Sequence, residues 1–211
     1  MSKVRVHNLN VSLDGFSAGG TVTYDAPIGE AARLFDHFDG RVIWGVDAIA
    51  EPVRADHVFT SAWSQGIGVE IMGRRKFGPQ TGPWADDGWR GWWGDEPPFR
   101  TPVVVLTHHE RPPIEFANGT VFHFVDAPAP QALEYARGLA GGDVRLGGGP
   151  TSVREFLHAD LVDFMHLVVV PVVIGSGVSI WDSCAELQDR FDVESVTTGS
   201  GLIHQFWNRK R

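Results

Sequence analysis

The feature of the sequence that most restricts its fold is an alternation of short apolar runs with segments of helical spacing. Runs typical of strands occupy 4–12, 68–73, 103–107, 121–125, 144–146 and 163–174. Segments at helical spacing occupy 28–38, 56–63, 129–140 and 151–157, and Arg74 opens one more helical turn. Strands that alternate with helices in this way predict an α/β sheet with helices on both faces.

The C-terminal region predicts an antiparallel hairpin. Two alternating segments within 191–207 are separated by Thr198-Gly199-Ser200-Gly201, a composition typical of a turn. The 211 residues suit one domain or at most two small ones, and neither a repeat nor a linker-like change of composition interrupts them. We therefore expect a single domain over residues 1–211.

The charge balance disfavours binding to nucleic acid and to anionic membranes. Acidic residues number 26 against 18 lysines and arginines, so the net charge is -8 and the chain on average repels nucleic acid and anionic lipid. The longest apolar run, around 166–175, contains Pro171 and falls short of the roughly 20 residues that span a bilayer. We expect neither a nucleic-acid partner nor a membrane-spanning helix.

The remaining composition predicts a cytoplasmic protein without a metal. The N-terminus lacks the continuous apolar core of a secretory signal, and the single Cys184 cannot form an internal disulfide. No pair among the nine histidines and one cysteine has zinc-ligand spacing, and we interpret His158 and His166 as ordinary residues flanking a strand. No serine stands in a nucleophile elbow, which disfavours acyl transfer.

Three predicted strands end in residues suited to a phosphorylated ligand. Ligands of open α/β sheets bind beyond the carboxyl ends of the strands. The first such end is Gly73-Arg74-Arg75-Lys76, where glycine permits close approach, a helix start offers free N–H groups and three cations can neutralise phosphate. A solvated basic turn is the alternative interpretation.

The second and third strand ends have a similar character. Thr107-His108-His109-Glu110-Arg111 offers a hydroxyl, two imidazoles and a guanidinium, although a polar loop with satisfied histidines is the alternative. Gly147-Gly148-Gly149-Pro150-Thr151-Ser152 leads from a strand into a helix, so backbone amides and the helix dipole can face a pyrophosphate. A plain turn is the alternative there, because neither common nucleotide-binding glycine fingerprint is present.

Five segments occur together in the order of a known family. They are VSLDGFSAG (11–19), EIMGRRKF (70–77), VVVLTHHERPP (103–113), VRLGGGPTSVREFL (144–157) and ADLVDFMHLVVVPVVIGSG (159–177). As a set they resemble the dihydrofolate reductase superfamily, and more closely the reductase domains that form the C-terminal half of bifunctional riboflavin-biosynthesis proteins. The resemblance implies an eight- or nine-stranded mixed, mostly parallel sheet, NADPH as cofactor, and a homodimer.

The resemblance also implies a set of site residues. Gly73 and Arg74 would lie at the cofactor phosphates, with Thr107 and His108 near the adenosine 2′-phosphate. Asp14 would lie near the nicotinamide and the substrate, as a polar contact or proton relay, and a turn-forming Asp-Gly is its alternative. The expected cofactor contacts are Gly73, Arg74, Arg75, Thr107, His108, Gly147, Gly148, Gly149, Thr151 and Ser152.

Two departures from the family pattern are visible in the sequence. Relatives usually have Asp-Glu where this chain has Asp163-Phe164. Folate reductases also place a carboxylate on the helix before the Met-Gly-Arg strand, and Asp56 lies at about the right distance upstream. Its surroundings match no folate-site pattern, so we interpret Asp56 as a solvated helix residue and do not expect a dihydrofolate reductase.

The segment 79–102 is unusually rich in tryptophan and glycine, with Trp84, Trp89, Trp92 and Trp93 close together. Tryptophan supplies flat apolar area, which suits either the wall of an aromatic substrate pocket or a dimer interface. A loop that packs on its own chain is the third interpretation.

The sequence as a whole predicts an NADPH-dependent reductase that delivers hydride to a small, flat, polar heterocycle or a conjugated carbonyl. In such chemistry the cofactor supplies the reducing power, so an obvious catalytic acid is not required. The alternative is a nucleotide-binding or interaction protein that keeps the fold without turnover. A purely structural dimer without a ligand is a third possibility.

Overall fold

The structure is a computed structural model that describes residues 2–36, 53–85, 88–181 and 186–211. Its strands are β1 (Val4–Ser12), β2 (Phe16–Ala18), β3 (Ile67–Gly73), β4 (Pro102–Leu106), β5 (Ile114–Glu115), β6 (Val121–Val125), β7 (Asp143–Gly148), β8 (Phe164–Val170), β9 (Val178–Ser179), β10 (Phe191–Thr197) and β11 (Ile203–Arg209). Its helices are α1 (Val53–Thr60), α2 (Arg74–Phe77), α3 (Ala129–Leu139), α4 (Pro150–His158) and α5 (Leu187–Arg190), with 3₁₀ helices at Gly29–Phe35 and Ser61–Ser64.

The main sheet is mixed and mostly parallel, as predicted. Within the described ranges it has nine strands in the order β10-β11-β8-β1-β7-β3-β4-β6-β5. The strands from β8 to β6 in that order pair in parallel, while β11 pairs antiparallel with both β8 and β10. The predicted C-terminal hairpin is therefore confirmed, and it extends the parallel sheet at one side.

One face of the sheet, called the apolar face here, is covered by α3, α4 and α5. Their buried residues pack on side chains of β1, β3, β7 and β8 in one large cluster. In α3 the residues Ala132, Leu133 and Ala136 are buried at the helical spacing that the sequence shows. Burial of this stripe against the sheet is the main driving force that places these helices.

The opposite face, called the polar face here, carries buried charged and polar side chains between two apolar clusters. Glu70, Arg145, His166 and His204 all lie on it and are at most 5% exposed. The apolar cluster beyond Glu70 contains Phe77 and Phe122, and the cluster beyond His166 includes Leu34 of the first 3₁₀ helix. Helices thus lie on both faces, and in the described residues the polar face places buried polar side chains between two apolar clusters.

Several elements differ from the sequence-based expectation. The segment expected to be a helix at 28–38 forms a 3₁₀ helix over Gly29–Phe35, and its last two residues lie outside the described ranges. The expected loop at 15–20 contains β2, which pairs antiparallel with β9. Gly177 makes this pairing possible, because a Cβ at its φ of +146° would lie 2.3 Å from the carbonyl oxygen of Ala18.

Candidate functional site

Four neighbouring parallel strands place the predicted site segments at one edge of the sheet. In the order β1, β7, β3 and β4, these strands are adjacent and point the same way. Asp14 follows β1, the run Gly147–Gly149 ends β7, Gly73 and Arg74 follow from β3, and Thr107 follows β4. The carboxyl ends of parallel strands are where open α/β sheets bind ligands, so the four segments form one candidate site.

Gly73 and Ser152 bring the ends of β3 and β7 into contact. A Cβ on Gly73 would lie 2.7 Å from Ser152 Oγ, so the absent side chain lets the first turn of α4 approach β3. Gly149 precedes α4 with φ at +68°, and the space where its Cβ would stand is open. Thr151 is exposed in the same turn. Gly149 and Thr151 therefore present accessible backbone at the start of α4, where an anion is favoured.

Arg74 contributes a guanidinium that is only partly satisfied by the protein. Its Nη1 donates to the Gly82 carbonyl at 2.5 Å and lies 3.5 Å from Thr107 Oγ1. Its Nε and Nη2 are buried and have no hydrogen-bond partner among the described residues. Burial, and then the positive charge of Arg111, lower the pKa of Arg74. A buried donor without an acceptor is costly, and an anionic ligand would relieve both effects.

Trp84 lies against Arg74 and Arg111. The Arg74 guanidinium carbon is 3.7 Å from the indole centroid and that of Arg111 is 5.0 Å away. The indole N–H donates to the His109 carbonyl at 2.6 Å. Both contacts are within cation–π range, so Trp84 holds two guanidinium groups near the end of β4. The sequence analysis named the Arg111 guanidinium among the groups at this strand end but did not include it in the expected cofactor contacts.

Three other predicted cofactor residues differ in how accessible their side chains are to a ligand. Thr107 is buried, and its hydroxyl accepts from the His109 N–H at 3.1 Å, so it shapes the turn after β4. The His108 side chain is 92% exposed and its Nδ1 lies 3.0 Å from Asp126 Oδ1. Arg75 is exposed and reaches the Gly20 carbonyl at 3.4 Å. His108 and Arg75 are thus accessible to a ligand, whereas Thr107 positions its neighbours.

Gly147 and Gly148 are glycines for a reason that the sequence did not reveal. A Cβ on Gly147 would lie 1.9 Å from Glu70 Oε1, and one on Gly148 would lie 2.4 Å from Lys76 Cδ. These two residues therefore accommodate buried charged side chains of the protein itself. Of the three glycines, Gly149 is the one with open space around it.

Asp14 is exposed and ties the end of β1 to the loop after β8. Its carboxylate oxygens accept from the backbone N–H groups of Gly175 at 2.7 Å and Ile174 at 3.3 Å. A hydrogen bond from Ser12 is the first cause that lowers the pKa of Asp14, and these backbone bonds add to it. Asp14 is thus kept ionised at neutral pH, which suits a hydrogen-bond acceptor better than a proton donor.

The interpretations of Asp56 as a solvated residue and of His166 as a residue flanking a strand were wrong. Asp56 is fully buried, and its Oδ1 accepts from Thr198 Oγ1 at 2.5 Å and lies 2.8 Å from His204 Nε2. His166 lies within β8, with its Nε2 2.9 Å from His204 Nδ1 and its Nδ1 2.9 Å from Asn8 Oδ1. A continuous hydrogen-bonded chain therefore crosses the polar face.

The direction of each hydrogen bond in this chain can be assigned. Asn8 Nδ2 donates to the Thr60 carbonyl at 2.8 Å, which leaves Asn8 Oδ1 as the acceptor for His166 Nδ1–H. His166 Nε2 must then accept from His204 Nδ1–H. His204 Nε2 and Asp56 consequently share a single proton between them. Burial, and then the charge of His204, lower the pKa of His166 to about 3, so His166 is neutral at pH 7.

The departure at Phe164 lies at the opposite end of the sheet from the candidate site. Phe164 begins β8, where its ring contacts His7 at a centroid distance of 5.3 Å. The neighbouring Asp163 accepts from the Val4 N–H at 2.7 Å. The change from the usual Asp-Glu pair therefore alters the amino edge of the sheet, away from the carboxyl-end segments.

The tryptophan-rich segment packs on its own chain. Trp84, Trp89 and Trp93 lie against the apolar cluster around Phe77 and Phe122. Trp89 Nε1 donates to the Phe77 carbonyl at 3.1 Å, and Trp93 stacks on Phe122 at 5.9 Å. Within one protomer, these side chains therefore form a loop that packs on its own chain, which was the third interpretation from the sequence. Their role towards a substrate or a second protomer stays a prediction.

Across the described ranges, no group of three or more His, Cys, Asp or Glu side chains is arranged to hold a metal ion. In the same ranges, no helix combines the length and apolarity needed to cross a membrane. Cys184 lies outside the described residues.

Solved structures with the same fold place the protein in a class. A proposed riboflavin biosynthesis protein of Shewanella sp. PV-4 has 19% identity and a TM-score of 0.61, with 100% of both chains covered. A pyrimidine reductase-like protein of Corynebacterium diphtheriae has 15% identity and a TM-score of 0.53, covering 100% of this chain and 92% of that one. Dihydrofolate reductase from Enterococcus faecalis, complexed with NADP(H), has 13% identity and a TM-score of 0.53, covering 99% and 97%.

The protein therefore has a dihydrofolate reductase-like fold. The family model of the RibD C-terminal domain matches residues 4–204. The chain belongs to that family and has its reductase fold. No curated protein matches the sequence significantly.

Proposed function

We propose that the protein is an NADPH-dependent reductase that transfers hydride to a small heterocyclic or conjugated carbonyl substrate. The RibD C-terminal family and the NADP(H) complex of the structurally similar Enterococcus reductase support a nicotinamide cofactor. The fold shared with a pyrimidine reductase-like protein and the aromatic segment after α2 support this substrate class. We further propose that it acts in the cytoplasm as a homodimer.

The observation that carries this proposal is the unsatisfied guanidinium of Arg74 at the carboxyl edge of the sheet. Two of its nitrogens are buried without a hydrogen-bond partner in the described structure, beside a second arginine, Arg111. A chain with net charge -8 has concentrated two cations here. Phosphate supplies the acceptors that Arg74 lacks and a negative charge beside the two cations.

Each strand end then has a separate part in holding the dinucleotide. Arg74, with His108 and Arg75, would bind the 2′-phosphate or the neighbouring phosphates. Gly73, Gly149, Thr151 and Ser152 would face the pyrophosphate, because the start of α4 presents backbone donors there.

When bound, the nicotinamide supplies the hydride, and the residues of this chain bind, orient and shield the reacting partners. Asp14 follows β1, the strand that pairs with β7, and accepts hydrogen bonds from the loop after β8. We assign it the role of orienting a substrate N–H or O–H group. Its lowered pKa argues against the proton-relay alternative.

A cofactor and substrate screen tests the proposed function. NADPH oxidation would be followed by absorbance with a panel of pterins, pyrimidines and quinones, beside a thermal-shift measurement with NADPH and NADH. We expect NADPH to raise the melting temperature more than NADH and to be oxidised with at least one class. Stabilisation without turnover would favour the nucleotide-binding alternative. An unchanged melting temperature with both dinucleotides would refute the cofactor assignment.

A further inference from the structure

Two buried charged residues and a partly buried lysine form a cluster directly beneath the glycine run of β7. Glu70 on β3 and Arg145 on β7 are paired neighbours in the sheet, and Glu70 Oε2 accepts from Arg145 Nη1 at 2.6 Å. Lys76 Nζ of α2 donates to Glu70 Oε1 at 3.0 Å. Glu70 is 1% exposed and Arg145 5% exposed. Each oxygen of one carboxylate thus binds a different cation, and the cluster as a whole keeps one positive charge.

Lys76 connects this cluster to the backbone of the candidate site. Its Nζ also donates to the carbonyl oxygen of Gly147. Its side chain fills the position where a Cβ of Gly148 would stand. The Lys76 cation therefore fixes the Gly147 carbonyl from the polar face of the sheet. Gly149, two residues later, has open space where a Cβ would stand.

Two aromatic rings also contact the cations of the cluster. The Arg145 guanidinium lies 4.6 Å from the ring of Trp63, and Lys76 Nζ lies 5.6 Å from the ring of Phe99. The charged groups whose fields reach Lys76 are Glu70 and Arg145. Both are at most 5% exposed, so the remaining positive charge of the cluster lies in a poorly solvated place at the end of β7.

We propose that Lys76 is a positioning residue for a phosphate-bearing ligand at the Gly147–Gly149 loop. It fixes the Gly147 peptide through its carbonyl, and it brings the net positive charge of the Glu70–Arg145–Lys76 cluster beneath the loop. This inference rests on the proposed function for the identity of the ligand, a dinucleotide. Holding the loop is a property of the ligand-free protein and can be tested without one.

Protonation of Lys76 makes this role dependent on pH. Burial lowers the pKa of Lys76 to about 8, with Glu70 opposing the shift and Arg145 adding to it. The cation is present at pH 7 and is lost as the pH rises through 8. An anion at the loop favours the charged form, so binding takes up a proton there. Affinity above pH 8 should then fall by up to about tenfold per pH unit.

The first experiment measures amide hydrogen exchange of the loop in ligand-free protein. Lys76→Met is compared with wild type and with Lys3→Met, which removes an exposed lysine at the opposite edge of the sheet. We expect exchange at residues 147–149 to accelerate by about tenfold or more in Lys76→Met only, because a charged hydrogen bond to the loop is lost. Equal protection in all three proteins would show that Lys76 does not hold the loop and would overturn the proposal.

The second experiment measures NADPH affinity between pH 6.5 and pH 9.5. Wild type should weaken above pH 8, whereas Lys76→Met should bind more weakly at pH 7 and lose this dependence. Glu70→Gln keeps the shape but removes the charge that favours protonated Lys76, so its transition should move to lower pH. An identical pH profile in wild type and Lys76→Met would overturn the proposal. If no variant bound NADPH, the proposed function would fail while the exchange data still decided the role of Lys76 in the loop.

Discussion

The buried His166 makes a quantitative prediction about stability in acid. The pKa of His166 is lowered from 6.5 to about 3, first by burial and then by His204. The unfolded chain therefore binds a proton more readily than the folded one between these two values. Stability that is fully present above pH 6.5 is lost as the pH falls, and the loss is complete near pH 3.

The magnitude follows from this shift. Each pKa unit corresponds to about 1.36 kcal/mol. Protonation of His166 therefore lowers the free energy of unfolding by about 5 kcal/mol in full, and by about 2 kcal/mol between pH 7 and pH 5. Domains typically have a free energy of unfolding of about 5 to 15 kcal/mol, so the loss between pH 7 and pH 5 is a large share of it. Acid between pH 7 and pH 5 should therefore weaken the protein measurably.

The assay compares His166→Gln with wild type by urea unfolding at pH 7 and pH 5. Glutamine retains a donor for Asn8 and an acceptor for His204 but does not titrate, so other groups that titrate cancel in the comparison. The variant should lose about 2 kcal/mol less than wild type between the two pH values. His108→Gln, at a 92% exposed side chain, serves as control and should behave as wild type. Equal pH dependence of His166→Gln and wild type would refute the reasoning.

Three further predictions concern the site and the assembly. Arg74→Ala should weaken NADPH roughly ten- to a hundredfold, since hydrogen bonds to charged groups contribute about 1.5 to 3 kcal/mol, and should barely affect NADH in binding titrations. An equal loss for both dinucleotides would move Arg74 away from the 2′-phosphate. Asp14→Asn should retain NADPH affinity and lower turnover with a true substrate. Unchanged turnover would show that Asp14 only connects the end of β1 to the loop after β8. Light scattering should show a homodimer at micromolar concentration, and a monomer would contradict the predicted assembly.

The periodic elements of the fold were predictable because their signals are local. The alternation in β1 and β6 gave bounds identical to those of the structure, and the apolar stripe of α3 faces the sheet as its spacing predicts. The first helix was misjudged because its apolar spacing also suits a 3₁₀ helix whose contacts are tertiary.

The buried polar residues were not predictable because their partners are distant in the sequence. Asp56 and Thr198 are separated by 142 positions, and Glu70 and Arg145 by 75. Asp56, Glu70 and Arg145 taken alone resemble solvated charges, and only the packing of the elements shows that they are buried. The glycines of β7 illustrate the same limit: the motif indicated a ligand, but two of its three members accommodate Glu70 and Lys76.

The position of β1 in the sheet has a consequence for biosynthesis. Both neighbours of β1, the strands β7 and β8, begin only at Asp143 and Phe164. At about 5 to 20 residues per second, a ribosome needs roughly 7 to 30 s to reach β7. During that time the strand has neither of its pairing partners, and its apolar residues Val4, Val6 and Val11 are without their final packing. The emerging chain thus carries an unpaired strand, to which other nascent chains or chaperones that recognise extended apolar segments can bind.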